Sequence, residues 1–304
     1  MRNQISRREL LAAAAAAGAA ATLGAARLPS GVNGGVAGDY QIGCFTRPWS
    51  DEHYLVAFDA IAEAGYKHVG FMTTKLPGSY IITYRTSIED AAKAGEEAKK
   101  RGLSVPAAWG GGLPVEKSVE EGIAALRKLV DNAAVAGVGT LIMGGTGQKG
   151  YDAYYKAIAE CCDYAAEKHV ALVIKPHGGL NSTGEQCKKT VEKVGQKNFH
   201  LWYDPGNIFY YSNGKVDPAD DASAAAGVVS GMCVKDFKPP KNVDVSPGDG
   251  QVNFKKVLQV LRQGGFTQGP LVVETLGPVQ GAKERIAEAK IAREFVENVV
   301  GSLR

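Results

Sequence analysis

From Asp39 onward, short apolar runs alternate with longer amphipathic stretches. The short runs cover 41–46, 68–72, 104–109, 139–143, 171–175, 199–203, 231–235 and 271–274. They are rich in branched and aromatic residues and bounded by Gly or Pro, the pattern of buried parallel strands. Helical periodicity covers 51–64, 87–101, 116–136, 150–168, 184–195, 218–228, 252–263 and 280–300. Several of these stretches stop at a glycine, including Gly65, Gly102, Gly137 and Gly264. Eight strand–helix units over about 265 residues predict an α/β fold, a single-domain (β/α)8 TIM barrel over 39–304. A doubly wound open sheet would need a glycine fingerprint after the first strand, and CFTRPW at 44–49 has none.

Residues 1–38 follow another pattern. A basic, polar start with Arg7-Arg8 leads into an alanine-rich run to about Ala26. This is the layout of a twin-arginine export signal followed by a short linker, which predicts handling by the twin-arginine export machinery and a periplasmic location. A membrane anchor is the competing reading, but alanine is weakly apolar and the run is short for a bilayer. No later segment has the length and apolarity of a span. Apolar residues make up 45% and charged residues 22%, as in folded soluble chains. The net charge of +3 includes no basic block, so nucleic acid is not an expected partner. Loss of residues 1–27 removes Arg2, Arg7, Arg8, Arg27 and Glu9 and leaves the mature chain near neutral. Five cysteines at irregular spacing argue against a disulfide framework or a zinc ribbon.

A (β/α)8 barrel carries its chemistry at the C-terminal strand ends. The titratable residues there concentrate on strands five to eight: Lys175 and His177, Asp204 and Asn207, Cys233, Lys235 and Asp236, and Glu274. Taken singly, several have plain structural readings. Asp204-Pro205-Gly206 is a common turn, Cys233 is a core thiol, and Lys235 and Asp236 can pair with each other. Together they bring two carboxylates, Asp204 and Glu274, into one cup. Carboxylates so placed repel and call for positive charge between them, either a divalent metal or the Lys175 ammonium. Phe45, Trp49 and Trp109 at the rim read as platforms for sugar faces or as a hydrophobic lid.

The motifs KPHGG (175–179), YDPGN (203–207), CVKD (233–236), PGDGQVNF (247–254) and LVVE (271–274) resemble the xylose-isomerase-like TIM barrels. These form the sugar phosphate isomerase/epimerase superfamily, and the resemblance runs from about Gln41 to the C-terminus. In that family strand five ends Glu-x-His, strand six Asp-Pro-Gly-Asn, strand seven His-x-Lys-Asp and strand eight Glu. Glu, Asp, His and the final Glu hold a divalent cation, and the two Glu move protons beside a carbonyl. This chain has Lys175 where Glu is expected and Cys233 where His is expected. The resemblance therefore implies an enzyme acting on a carbohydrate carbonyl by proton transfer: isomerisation, epimerisation or elimination. Three readings of the altered site stand. A metal, zinc or manganese, binds Asp204, Glu274, Cys233 and His177. Alternatively there is no metal, and Lys175 takes its place as acid, base or imine-forming amine, with Glu274 or His177 as proton partner. In the third, the chain is a non-catalytic exported barrel that binds a carbohydrate. Under the enzymatic readings Lys175, His177 and Glu274 are catalytic, while Phe45, Trp49, Trp109, Asn207, Lys235 and Asp236 bind an unphosphorylated sugar. A homo-oligomer is compatible with all three.

Overall fold

The structure, a computed structural model, describes residues 40–303; the export signal and linker expected over 1–38 lie outside them. Eight parallel strands pair in sequence order and close into a barrel, with β1 against β8. The strands are β1 (Tyr40–Phe45), β2 (His68–Phe71), β3 (Ser104–Gly111) and β4 (Thr140–Met143), then β5 (Ala171–Ile174), β6 (Phe199–Tyr203), β7 (Val229–Val234) and β8 (Gly269–Val273). The intervening helices are α1 (Tyr54–Glu63), α2 (Ile88–Lys100), α3 (Val119–Val135), α4 (Tyr151–Glu167), α5 (Gly184–Val194), α6 (Pro205–Tyr211), α7 (Pro218–Asp221), α8 (Phe254–Gln263) and α9 (Ala282–Gly301). The architecture is the one the hydrophobic pattern predicts. Among the described residues no helix is long and apolar enough to cross a membrane.

Two helices differ from the pattern. The turn expected at Asp204-Pro205-Gly206 opens α6: the Asp204 carboxylate accepts from the Asn207 N–H at 3.0 Å, and Pro205 takes the first helical position. The helix expected over 218–228 stops at Asp221. The Asp221 carboxylate is drawn away to the start of α5, where it accepts from the Gly184 N–H at 2.7 Å and from the Tyr203 hydroxyl at 3.0 Å. Ser223 Oγ donates to the Asp220 carbonyl, a side-chain bond that competes with further helix.

Side chains alternate across each strand, and this divides the core in two. Phe45, Ala107, Ile142, Val173, Trp202, Cys233 and Val272 point into the barrel and fill it. Cys44, Val69, Leu172, Ile174, Leu201, Val234 and Val273 point outward and pack under the helices. The same parity sets the next layer. Two residues beyond Val173, Trp202, Cys233 and Val272 lie Lys175, Asp204, Lys235 and Glu274, all buried and all delivered to the C-terminal mouth.

Candidate active site

Lys175 is 1% exposed, and its ammonium stands among three groups. It donates to Glu274 Oε2 at 2.6 Å and to Asp204 Oδ2 at 3.0 Å, and reaches Cys233 Sγ at 3.7 Å. Lys235 joins from β7: its Nζ lies 3.2 Å from Asp204 Oδ2, 2.5 Å from Glu274 Oε1 and 3.1 Å from Asn207 Oδ1. Arg47, just past β1, donates to Glu274 Oε1 at 2.8 Å and leans 3.5 Å from the rim residue Asp244. Three cations thus surround two buried carboxylates. Burial alone would raise the Glu274 pKa, but Lys175, Lys235 and Arg47 outweigh it and hold that pKa well below the usual carboxylate value. Burial likewise opposes the charge on Lys175, and the Cys233, Glu274 and Asp204 side raises its pKa well above that of an ordinary lysine.

That charge pattern decides between roles for Lys175. An imine-forming amine must be available uncharged. Lys175 is fixed as an ammonium in two short ion pairs, so the imine role expected of it is not supported. The metal reading can be tested in the same way. Asp204, Cys233 and Glu274 present ligand atoms within 4.8 Å of one another. The centre of that triangle is where the Lys175 ammonium donates to all three, and Lys235 and Arg47 add two more positive charges at the edge. A divalent ion would meet this ammonium at contact distance, and burial pushes the Cys233 thiol up, away from the thiolate a metal binds. The donor set does not fit a metal. His177, expected as a fourth ligand, is not part of the cluster.

His177 stands instead at the mouth, on the turn after β5. Its backbone N–H donates to the Asn181 carbonyl at 2.8 Å, and the Asn181 side chain is in turn held by Tyr155 and Thr190. The ring sits between Trp109 and Tyr211, at 5.2 and 5.8 Å between centroids, with one edge open to solvent. Partial desolvation of the ring, and then the Lys175 and Lys235 ammoniums, hold its pKa down at about 4. It is therefore neutral near pH 7, a base with no carboxylate hydrogen-bonded to it among the described residues.

Two adjoining cavities of about 340 and 220 Å³ share Arg47, His177 and Glu274 in their linings. Trp109 lines the second, and the Lys175 ammonium lies 5.3 Å from its ring centroid. Asn207 lines the first, where it accepts from Lys235 and donates to the Pro176 carbonyl.

Three expectations are corrected. Phe45 is fully buried and does not meet a sugar, because the parity of β1 turns it into the barrel interior. Trp49 is 2% exposed and packs in the outer layer beneath the helices. Asp236 follows the inward Lys235 and so faces away from the cavity. Its carboxylate accepts four backbone N–H groups, from Phe237, Gly248, Gly250 and Val252, at 2.8–3.0 Å. This also accounts for Gly248-Asp249-Gly250: a Cβ on Gly250 would collide with Asp236 Oδ1, and the loop's amides point at this carboxylate, not at a ligand. Two site residues carried no assignment in the sequence. Arg47 was legible from the closure of the barrel, since the end of β1 adjoins the end of β8 and Glu274. Tyr80 sits on a long loop after β2, too far from the strand end for strand counting to reach.

Comparisons agree with this architecture. A sequence model of the xylose isomerase-like TIM barrel matches residues 58–297. An L-ribulose-5-phosphate 3-epimerase, UlaE, of Escherichia coli is 26% identical over 267 residues, 82% of this chain and 78% of that protein. A crystal structure of D-psicose 3-epimerase in the presence of D-fructose superimposes with TM-score 0.67 at 15% identity, covering 86% of this chain and 99% of the other. D-allulose 3-epimerase from Methylomonas sp. in complex with D-allulose gives TM-score 0.66 at 18% identity, covering 86% and 97%. Since that sequence model matches well over half of the chain, the chain belongs to the xylose isomerase-like TIM barrel family.

Proposed function

We propose that this chain isomerises or epimerises a carbohydrate by moving a proton at the carbon beside a carbonyl, with the Lys175 ammonium where its family carries a divalent ion. The observation that carries this reading is the position of Lys175 Nζ, 2.6–3.7 Å from Glu274, Asp204 and Cys233 at the floor of the mouth. Family membership and the epimerase relatives support the reaction class. Lys175, Lys235 and Arg47 supply the positive field in which a carbonyl oxygen takes on charge as an enolate forms. His177, neutral and facing the cavity, takes the proton. Glu274 is too strongly held by cations to act as the base and instead fixes their positions. Trp109 offers a ring face to the sugar. The signal-like residues 1–38 lead us to propose export through the twin-arginine route, so that the substrate is a sugar met outside the cytoplasm.

The test is elemental analysis of protein purified without chelator, together with turnover of ketoses before and after EDTA. The reading expects less than about a tenth of an equivalent of metal and unchanged turnover, since the stoichiometric site is filled by an ammonium. A full equivalent of zinc or manganese, with activity lost on its removal, would sink the metal-free reading.

A further inference from the structure

Inverting a carbon beside a carbonyl needs a proton-transfer group on each side of the substrate, and neither buried carboxylate of the mouth is free to be one. Asp204 is held by Lys175 and Lys235, and Glu274 by Lys175, Lys235 and Arg47. His177 can serve one face of the substrate. The other face needs an acid that this chain must draw from elsewhere.

The loop after β2 provides it. Residues 73–80 form a small antiparallel hairpin, closed by a Thr73–Tyr80 bridge and by backbone bonds from Thr74 to Ser79 and from Ile81 to Met72. The hairpin sets Tyr80 and Thr73 in the wall of the 220 Å³ cavity whose lining also includes Arg47, Lys175, Glu274 and His177. Tyr80, on the loop after β2, and His177, on the turn after β5, thus reach one cavity from different strands. The Tyr80 hydroxyl has no protein partner among the described residues, and Thr73 Oγ1 is buried without one. Tyr80 is half-buried and lines the cavity, so a bound sugar can reach its side chain.

We propose that Tyr80 is the second proton-transfer group of this site, acting on the substrate face opposite His177, so that the pair inverts a carbon beside a carbonyl without either buried carboxylate. The inference rests on the proton-transfer reading above and deepens it to epimerisation. His177 accepts the proton of the C–H bond. The electron pair of that bond becomes a C=C bond as the carbonyl pair moves onto oxygen, which the cationic floor holds as an enolate. The Tyr80 O–H then gives its proton to the same carbon from the other side, and the electron pair returns to the carbonyl. The phenolate, formed near Arg47 and Lys175, regains a proton that the imidazolium releases through solvent. Nothing is oxidised or reduced.

The experiment incubates the full chain with ketopentoses and ketohexoses in deuterium oxide, and follows deuterium uptake and epimer formation by NMR. For wild type we expect both. Tyr80→Phe, which removes only the hydroxyl, keeps deuterium uptake within about tenfold while epimer formation falls by about 100-fold or more. His177→Gln loses both. Circular dichroism and urea unfolding confirm that each variant is folded. A Tyr80→Phe protein that epimerises within about threefold of wild type overturns the assignment, as does one that loses uptake and inversion together. Wild-type uptake without inversion overturns it while leaving proton transfer intact. No uptake and no conversion of any sugar removes the proton-transfer reading itself, and the role of Tyr80 with it.

Discussion

Two buried carboxylates close neighbouring strands, and they have opposite surroundings. Glu274, after β8, faces the mouth and is held by Lys175, Lys235 and Arg47. Asp236, after β7, faces away and is held by four backbone N–H groups of one loop. Burial pushes both pKa values up. For Glu274 the three cations reverse the shift; for Asp236 the four amides only offset it, and its pKa stays above the ordinary aspartate value. Both residues belong to motifs of the family, and both are fully enclosed. What separates them is the identity of the partner. Side-chain cations that border a cavity can redirect their charge to a substrate, whereas amides folded onto a carboxylate are spent on the loop.

The largest expected effect comes from uncoupling the first group. Glu274→Ala leaves Lys175 and Lys235 buried with one carboxylate between them, and breaking a buried pair from one side costs about 3–5 kcal/mol. Urea unfolding at pH 7 measures this, and ketose turnover should fall to background in the same variant. Titration sharpens the contrast. The folded-state pKa of Glu274 lies below its ordinary value of 4.5, so its stabilisation is complete above that pH and fades as pH falls below it. Asp236 has the opposite sign: its raised folded-state pKa means that stability is given up as pH rises past its ordinary value of 3.8. Unfolding midpoints of Glu274→Gln and Asp236→Asn across pH 3–6 should therefore diverge from wild type in opposite directions. Parallel curves would show that the two carboxylates are not distinguished by their partners.

A smaller loss is expected from Asp236→Asn at pH 7. The amide keeps one acceptor oxygen and turns an N–H group toward two of the loop's donors, which costs about 1–3 kcal/mol in buried unsatisfied groups. Activity per folded molecule should stay within about twofold, because Asp236 does not line the mouth. A fall comparable to that of Glu274→Ala would mean that the loop it holds, not only the ion cluster, shapes the cavity.

This contrast also shows what was legible in the sequence. The barrel followed from eight apolar runs spaced by amphipathic ones, and the convergence of Lys175, Asp204 and Glu274 followed from its topology. Strand parity was equally available: counting by two from Val173, Trp202, Cys233 and Val272 selects Lys175, Asp204, Lys235 and Glu274 and leaves Asp236 outside. The same parity turns Phe45 into the barrel interior. Tyr80 was beyond such counting, since a hairpin of eight residues has no period and its direction depends on how Thr73 and Tyr80 bridge. The geometry of His177 was likewise set by contacts distant in sequence, Asn181 with Tyr155 and Thr190.

The smallest effect belongs to an exposed pair, which tests whether partner chemistry or solvent dominates. Glu185, in the first turn of α5, accepts from Lys189 at 2.7 Å, against 2.6 Å between Lys175 and Glu274. Its side chain is 59% exposed and that of Lys189 70%, against 2% for Glu274. Water screens the exposed pair, and holding two long side chains in place offsets most of the attraction. Glu185→Ala should shift the urea midpoint by less than about a third of the Glu274→Ala shift, with no change in turnover and with what remains fading as salt is raised. Distance alone would predict equal losses for the two pairs. If the midpoints did move equally, enclosure would not be what gives the mouth its strength, and the case for a lysine held in place of a metal by its buried counter-charges would fail on energetic grounds.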